Sequence, residues 1–481
     1  MNIPRFATPR LAAAFLALAS CCSSINTVQA NAVLDGLSVP DAPNIPHRTF
    51  KVISYGAVGD GKTMNTKAIQ KAIHECNKQG GGIVVIPEGH FLTGPIELES
   101  RCALKLEQGA VLQAPQDFSL LGYPDPLPTT QAEMDGLKKI TRPLITASGA
   151  DDIAILGAGT IDGGGAMWWA HVPRHGNTGN PIRMNRPNLV VFVNCNRVHL
   201  AGITLQNSPQ FHFVPQFCQN VFVDHINIHS PADSPNTDGI DPANSRTVLI
   251  RGCTIDTGDD DVALKAGGKE PCQDITVTDC TIRHGHGISI GSETDSGVRN
   301  FLVQNCTFEN TGTALRIKSA RSRGGKIVNV LYRNISMKSV DAAISISFYY
   351  YDREEMKHPE FKTITSTTPS LQHVRFTDIT CEDAVRAGEI CGLPETPLLD
   401  VSLKNVQITS KTGLTIQDAS GITLQNVSVL TSRTPRVREP KPDGAVTPVG
   451  DAQAASAVAP QPSASPTISA SPSPESSPDE Q

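Results

Sequence analysis

Acidic, imidazole and basic side chains recur in four short segments between residues 236 and 319. The segments read NTDGID from position 236, GDDDVALK from 258, GHGISIGS from 285 and ALRIKS from 314. Carboxylates that crowd together repel one another, so at least one of them should keep its proton to a higher pH than usual. Such a site can hold one carboxylic acid as a proton donor while another serves as a base. The residue types therefore indicate general acid–base chemistry.

The spacing of the four segments predicts that their polar residues are neighbours. Each segment has one apolar anchor residue, and these anchors are Ile240, Val262, Ile288 and Leu315. If the segments are parallel strands stacked about 4.8 Å apart, the residues two positions before the anchors form one column. That column contains Asp238, Asp260, His286 and Thr313, with Asp259 beside it.

Basic residues follow the anchors on the same stack. One position after the anchors the spacing aligns Ala263, Ser289 and Arg316, and three positions after them it aligns Lys265, Gly291 and Lys318. Arg316 and Lys318 could together bind an anionic group of a substrate, Arg316 in bidentate fashion.

The directions of three consecutive aspartates stay open at this stage. Strict alternation would turn Asp260 inward and would turn Asp259 and Asp261 outward, onto the face of Arg316 and Lys318. The column lies at a bend between strands, however, where alternation need not hold. The spacing alone therefore leaves Asp261 as a rival to its two neighbours.

The elements that carry these residues belong to a repeat. Nine copies of the pattern apolar-x-apolar-x-(Gly/Asn/Asp/His)-apolar-x-apolar begin at positions 198, 221, 248, 275, 301, 330, 374, 401 and 422. The alternation has the period of a strand, and the fifth position carries residues that bend a chain sharply. The first spacings are 23, 27, 27, 26 and 29 residues, which is a period typical of solenoids. The sequence therefore predicts an all-β fold, a right-handed parallel β-helix.

The β-helix is predicted to occupy residues 47–435 of the 481-residue chain. With 39% apolar and 18% charged residues, the chain can form a large core. An amphipathic helix from Asn65 to Gln79 is predicted to cap the first coil, where unpaired strand edges would otherwise be exposed. The formal net charge of −6 argues against a polyanion-binding surface overall, so attraction of an anion must be local. We expect a monomer that binds no nucleic acid.

The two ends of the chain are predicted to lie outside the fold. Residues 1–30 place two arginines before a short apolar run, as in a secretory signal peptide. Cleavage after Val28-Gln29-Ala30 would give a secreted or periplasmic protein, whereas Leu18-Ala19-Ser20-Cys21 resembles a lipoprotein box in which Cys21 is lipidated. The run is too short to span a bilayer, and no membrane span is predicted. Residues 31–46 are predicted to be a linker, and the Pro-, Ser- and Ala-rich residues 436–481 a disordered tail.

The cysteines divide into two predicted groups. Cys253, Cys280 and Cys306 occupy the sixth position of three successive repeats, which predicts an inward stack of free thiols. Cys381 and Cys391 lie ten residues apart across an irregular stretch and are predicted to form a disulfide, which export would favour. No cysteine–histidine spacing suggests a zinc site, and neither a metal nor another cofactor is predicted.

The four polar segments resemble the polygalacturonases of glycoside hydrolase family 28. The matches are NTD at 236–238, GDD at 258–260, GHG at 285–287 and RIK at 316–318. The resemblance covers roughly residues 47–430 and is very specific, because all four motifs occur in the family's order and spacing. It implies a pectin-lyase-like β-helix that hydrolyses α-1,4-galacturonosyl linkages of polygalacturonate or pectin without a metal.

Carried over residue by residue, the resemblance implies a division of labour among the acids. Asp259 would be the general acid that protonates the glycosidic oxygen, and Asp238 and Asp260 would hold and deprotonate the attacking water. His286 would maintain the protonation of Asp259, and Asn236 would support the pair. The resemblance also decides against Asp261, which stands where many relatives carry cysteine.

The resemblance further implies how the sugar is held and turned over. Arg316 and Lys318 would bind the galacturonate carboxylate, and Lys265 and Arg321 could add local attraction. Tyr350 could pack on a sugar ring, or could belong to a plain surface loop. One acid and one water-activating base should invert the anomeric centre, with the carboxyls roughly 6.5–9.5 Å apart.

Other functions stay open on the sequence. A calcium-dependent pectate lyase would share the fold and the polyanionic substrate, although the GHG and RIK segments do not suit it. A binding or adhesin β-helix without activity is disfavoured, because idle coils would need no complete polar set. Rhamnogalacturonan and xylogalacturonan hydrolases remain alternatives within the family, as do endo and exo action.

Overall fold

The computed structural model of the protein describes residues 39–125, 127–172 and 184–432. Its strands pair in parallel from coil to coil and form three rows around one continuous apolar core. We call these rows A, B and C, in the order in which the chain meets them within a coil. The parallel β-helix predicted from the repeats is confirmed.

The rows are built from short strands in the first coils and from longer, bent strands in the last ones. Row A contains Thr49–Lys51, Gly82–Ile86, Cys102–Leu106, Asp151–Gly157, Asn196–Ala201, Gln219–Asp224, Arg246–Arg251 and Cys272–Thr278. Row B contains Asp60–Met64, Gly89–Leu92, Ala110–Gln113, Thr160–Asp162, Thr204–Gln206, Asn227–His229, Thr254–Thr257 and Thr281–His284. Row C contains Ile96–Glu97, Ile145–Ser148, Val190–Val193, Phe213–Gln216, Val262–Leu264, Ile288–Ile290, Thr313–Lys318 and Ala342–Ser347. Strands that continue through one or more bends are Val298–Glu309, Lys326–Lys338, Ser370–Cys391, Leu398–Gln417 and Thr423–Thr431, and Ala419–Ser420 precedes the last of them.

The repeat register read from the sequence is the register of row A. The first residues of eight successive repeats pair in one file that runs from Val198 to Val401. Ser402 pairs with Thr423, which continues the same register into the ninth repeat. The fifth position of every repeat has a backbone φ between +51° and +72°. This left-handed conformation is tolerated by Gly, Asn and Asp, which explains why those residue types dominate that position.

Helices are few and short, apart from one near the start of the described chain. The helical segments are Val52–Tyr55, Thr66–Lys78, Phe118–Leu121, Gln131–Gly136, Leu137–Lys139, Ala166–Trp169 and Arg353–Lys357. Thr66–Lys78 buries its apolar face, with Ile69 and Ile73 fully buried. The amphipathic helix expected over Asn65 to Gln79 is therefore present, and its role as a cap over the first coil stays a prediction.

The structure separates the two groups of cysteines differently from the sequence prediction. Cys253, Cys280 and Cys306 are free and buried, so the predicted inward stack of thiols is confirmed. The predicted disulfide between Cys381 and Cys391 is wrong, because both thiols are free. Both residues belong to the single strand Ser370–Cys391, where Cys381 pairs in row B and Cys391 in row C. The two thiols therefore lie on different rows of the coil, each paired with its own neighbour, and are not brought together.

The predicted end segments lie outside the described residues. This applies to the signal peptide at 1–30 with Cys21, to the first half of the linker at 31–46 and to the tail at 436–481. Within the described ranges, no helix combines the length and the apolar character that crossing a bilayer would need.

Candidate active site

The four polar segments meet on row C, in the register that the sequence predicts. Ile240 bridges to Val262, Val262 pairs with Ile288, and Ile288 pairs with Leu315. Inward-facing apolar residues at these positions fix each strand in the core, so the residues around them are held at defined places on the outer face. Ala263, Ser289 and Arg316 follow in one file, as expected.

The structure shows which way Asp260 and Asp261 point in the turn that precedes Val262. Asp260 faces the polar side of row C, where it accepts hydrogen bonds from Ser289 Oγ at 2.8 Å and from Lys318 Nζ at 2.8 Å. Asp261 points the other way and is fully buried. Strict alternation predicts the opposite arrangement and is wrong here, because the chain turns between rows B and C at these residues.

Asp261 is held by groups outside the polar cluster. It accepts hydrogen bonds from Thr257 Oγ1 at 2.9 Å and from the Gly287 backbone N–H at 3.0 Å. Burial raises the pKa of its carboxyl well above the ordinary value. The geometry therefore gives Asp261 a structural place beneath the site.

Asp259 and His286 form a hydrogen-bonded pair. His286 Nδ1 lies 3.0 Å from Asp259 Oδ1, and Asn236 Nδ2 donates to Asp259 Oδ2 at 3.3 Å. Burial would raise the pKa of Asp259, but the hydrogen bond and charge of His286 outweigh it and hold that pKa below its ordinary value. Burial would likewise lower the pKa of His286, and its bond to Asp259 raises it to about 9. In this arrangement the shared proton resides on the imidazole.

Asp260 is paired with a different cation. Its side chain is 1% exposed, and the Lys318 ammonium lies 2.8 Å from Oδ2 while Arg316 Nη1 lies 3.7 Å from Oδ1. Burial would raise the pKa of Asp260, but the positive charges, that of Lys318 first, hold it below the ordinary value. Asp260 therefore keeps its negative charge at mildly acidic pH.

Asp238 has a third cation, Lys265, whose Nζ lies 3.0 Å from Asp238 Oδ2. Burial raises the pKa of Asp238 to about 7, although the charge of Lys265 opposes this. The sequence prediction that one carboxyl in the column has an elevated pKa is met by Asp238. The pairing with Lys265 was not foreseen, because the sequence places the two residues on neighbouring coils without showing which way either side chain turns.

The residues proposed to bind substrate also come together. The ring centroid of Tyr350 lies 5.4 Å from Arg316 Cζ and 5.1 Å from Lys318 Nζ, within the range of cation–π contacts. Arg321 is engaged elsewhere, since it binds Glu395 and Glu355 at 2.6 Å each. Two carboxylates already compensate its charge, so it is poorly suited to attract a polyanion.

Two further residues that sequence reasoning did not single out support the polar cluster. Arg186 donates to Asn236 Oδ1 at 2.6 Å, and the fully buried His212 contacts the Asp238 carbonyl oxygen through Nδ1 at 2.9 Å. Both precede the four motifs in the chain. The one available signal was that His212 belongs to a segment, NSPQFHFVP, in which a histidine interrupts the apolar residues of a strand.

One trio within the site has the spacing of a cation site. One ligand atom from each of Asp259, Asp260 and His286 lies within 4.8 Å of the others. A metal ion there would have to displace the Lys318 ammonium from Asp260 and the imidazole from its bond to Asp259. The donor set is therefore already neutralised by the protein's own cations.

Comparison with known proteins places this arrangement in a family. The family model for "Glycosyl hydrolases family 28" matches residues 76–432. A probable polygalacturonase of Vitis vinifera is 31% identical over 370 residues, which are 74% of this chain and 73% of that protein. An endo-polygalacturonase of Pectobacterium carotovorum subsp. carotovorum is 32% identical over 365 residues, which are 72% of this chain and 84% of that protein.

A solved structure shares the fold as well as part of the sequence. The crystal structure of a hyperthermoactive exopolygalacturonase from Thermotoga maritima superimposes with a TM-score of 0.70 at 28% identity. The match covers 82% of this chain and 94% of that one. Together, the family match and the relatives show that the chain belongs to glycoside hydrolase family 28 and is a glycoside hydrolase.

Proposed function

We propose that this protein hydrolyses α-1,4-galacturonosyl linkages of polygalacturonate, the acidic polysaccharide of plant cell walls. The observation that carries the proposal is the pairing of acids with separate cations on one face of row C. Asp259 is bonded to His286, and Asp260 to Lys318, at 3.0 and 2.8 Å. His286 can supply Asp259 with a proton while Lys318 keeps Asp260 ionised, so one carboxyl can act as acid and the other as base, as glycoside hydrolysis by two carboxyl groups requires.

Asp259 is the proposed general acid, supplied with its proton by His286. A bound uronate chain covers the pair and brings negative charge, and both effects raise the proton affinity of Asp259. The proton then moves from His286 Nδ1 to Asp259 Oδ1 and on to the glycosidic oxygen as the bond from that oxygen to the anomeric carbon breaks. The imidazole is the proton reservoir in this scheme.

Asp260 is the proposed base, and Asp238 helps it to hold the attacking water. Asp260 stays ionised because Lys318 compensates its charge, so it can take the proton that the water releases on attack at the anomeric carbon. Asp238 lies two positions before Ile240 in the adjacent coil and is 2% exposed. Its pKa of about 7 makes its own proton available below neutrality.

Arg316, Lys318 and Tyr350 are the proposed binding set for the sugar. The two cations would hold the uronate carboxylate, because residues two positions apart on one strand turn their side chains to the same face. The ring of Tyr350 lies next to both cations, so a sugar held by them would come close to it. A neutral or methyl-esterified sugar offers no carboxylate to this pair and should bind less well.

We also propose inversion at the anomeric carbon. The oxygens of Asp259 and Asp260 approach within 4.8 Å, which is closer than the roughly 6.5–9.5 Å expected between the carboxyls of an inverting pair. Inversion is proposed from the family resemblance, which implies one general acid and one water-activating base. Proton NMR of the first product formed tests this assignment, because a retained α-anomer would contradict it.

Metal independence, export and a monomeric state complete the proposal. The first is supported by the cations that already neutralise the acids, and export by the leader-like residues 1–30 together with a polysaccharide substrate of the cell wall. A monomer is the simplest state for an enzyme that acts along a polymer.

The deciding experiment compares substrates and variants in one assay of reducing ends. The wild type should release reducing ends from polygalacturonate faster than from rhamnogalacturonan or xylogalacturonan. Asp259→Asn should lower turnover by about 10²–10⁴-fold, and Asp261→Asn is the matched control on the aspartate two positions further on. Products with the ultraviolet absorbance of an unsaturated sugar would indicate a lyase and contradict hydrolysis. Chromatographic sizing of the same products distinguishes endo from exo action.

A further inference from the structure

Arg186 connects the turn that carries Asn236 to the preceding coil by hydrogen bonds. Arg186 Nη1 donates to the carbonyl oxygens of Pro235 at 2.6 Å and Pro209 at 2.9 Å, and Nη2 donates to Asn236 Oδ1 at 2.6 Å. Each of these three bonds to the described residues ends on a neutral oxygen. The guanidinium therefore connects two coils and one side-chain amide.

The bond to Asn236 fixes the orientation of that amide. A guanidinium has donors and no acceptor, so the amide oxygen must face Arg186 and the amide nitrogen must face the opposite way. On that side Asn236 Nδ2 donates to Asp259 Oδ2 at 3.3 Å. If the amide were reversed, its oxygen would face a carboxylate oxygen and its nitrogen would face a cation, and both contacts would be repulsive.

We propose that Arg186 is a positioning residue for Asp259, acting by locking the amide of Asn236 so that an N–H donor faces the carboxyl group. This inference rests on the proposed role of Asp259 as the general acid. When Asp259 gives up its proton, negative charge develops on its oxygens, and the bond from Asn236 strengthens as it does so. An interaction that grows in the transition state accelerates the chemical step.

The surroundings of Arg186 fit this role. Burial lowers its pKa to about 10, while the charges of Asp238 and Asp259 act in the opposite direction. The group is thus close enough to feel both acids and still remains charged at any pH near neutrality. Asn236 itself has a left-handed backbone with φ of +52°, so its side chain leaves the turn at a direction set by the fold.

The test is a double-mutant cycle on polygalacturonate with Arg186→Met and Asn236→Ala. Arg186→Met alone should lower kcat by about 10- to 100-fold and change KM little, because the lost interaction belongs to the transition state. In the Asn236→Ala background the same change should cost less than about threefold, since Arg186 acts through that amide. Additive losses in the cycle, or an unchanged kcat in Arg186→Met, would overturn the proposal.

Arg186→Lys separates orientation from charge. Lysine keeps the positive charge and loses the planar fork that reaches three acceptors. A kcat near that of Arg186→Met supports the locking role, and full activity in Arg186→Lys refutes it. This variant also serves if Arg186→Met does not fold, as judged by its circular dichroism and thermal unfolding.

A second readout does not depend on activity. In protein labelled with ¹⁵N-histidine, the imidazole signal of His286, identified with a His286→Gln variant, reports the pair that it forms with Asp259. Removing Arg186 takes away a cation and frees the amide, so Asp259 binds the imidazolium more tightly and the pKa of His286 should rise. An unchanged titration would contradict the coupling. If the wild type hydrolyses no polygalacturonate, the proposed function fails, while this titration still decides the role of Arg186.

Discussion

Replacing Lys318 by methionine should protonate the proposed base, Asp260, at acidic pH and leave it ionised at higher pH. Methionine keeps much of the length of the lysine side chain and removes the ammonium that lies 2.8 Å from Asp260 Oδ2. The buried carboxyl would then keep Arg316, whose nearest nitrogen is 3.7 Å from the other oxygen, and the weaker influence of Lys265. A buried carboxyl that loses its partner holds its proton to higher pH.

The size of the effect follows from the geometry. Two unit charges 2.8 Å apart attract by about 6 kcal/mol at an effective dielectric constant of 20, before their desolvation is counted. Breaking a buried pair by removing one partner costs about 3–5 kcal/mol in practice. At 1.36 kcal/mol per factor of ten, the ionised fraction of Asp260 should fall by about 10²-fold or more at acidic pH. Arg316 still compensates part of the charge, so we expect the lower end of that range.

The assay is the pH profile of kcat/KM for polygalacturonate. In Lys318→Met the acid limb should move to higher pH, and the deficit relative to the wild type should shrink as the pH rises. Lys318→Arg, which keeps the charge, should leave the limb close to its original place, and Arg316→Met should move it less than Lys318→Met does. A deficit of equal size at every pH would mean that Lys318 acts through substrate binding alone and would refute the reasoning.

Three further outcomes are expected. Asp259→Asn should lower turnover by about 10²–10⁴-fold, whereas Asp261→Asn should retain most of the activity because that carboxyl is bonded to Thr257 and Gly287, outside the polar cluster; the reverse ranking would place the general acid two residues further on. Activity should survive chelation of divalent cations, and a loss that calcium restores would contradict the metal-independent scheme. Cys253, Cys280 and Cys306 should resist thiol reagents in the native protein and titrate as free thiols after unfolding without reductant, and peptide mapping that finds one of them in a disulfide would overturn the coil register.

The fold could be predicted because every repeat marks the same inward positions and the same bend in the chain. The alternating apolar positions define which residues turn inward, and the fifth position marks where the chain bends. In the structure the nine fifth-position residues share a left-handed backbone, from Gly202 to Asn426. A single wrong alignment would have put charged residues into the core, so the hydrophobic pattern alone fixed the stacking of Ile240, Val262 and Ile288.

The directions of side chains at the corner could not be predicted in the same way. Asp259, Asp260 and Asp261 lie between the strands Thr254–Thr257 and Val262–Leu264, where the chain turns and the side chains need not alternate as they do along a strand. Their directions depend instead on partners from other coils, namely His286 for the first and Lys318 for the second. The predicted disulfide failed for a related reason: ten residues suffice to close a loop, but here they carry Cys381 and Cys391 onto different rows of the coil.

Supporting contacts outside the motifs were also beyond the reach of the sequence. Arg186 reaches Asn236 across 50 positions, and His212 reaches the carbonyl of Asp238 across 26. Neither position differs in type from many solvated or structural residues of the chain. Their roles follow only once the coils are stacked and the buried polar atoms have been matched with partners.

The arrangement of charges explains how three carboxyls can share so small a volume. A pair of acids that faces no cation must share one proton, as like charges at short range cannot both ionise. Here each acid has its own cation, so the three need not compete for one proton. The strength of each pairing then decides the protonation: His286 and Lys318 overcome burial at Asp259 and Asp260, whereas Lys265 does not overcome it at Asp238. In the proposed scheme, a substrate carboxylate bound by Arg316 and Lys318 would weaken the charge compensation of Asp260 and make it a stronger base when the water is deprotonated. The cations would thus couple substrate binding to catalysis, which is why the acid limb in Lys318→Met is a more direct test of the mechanism than the loss of activity itself.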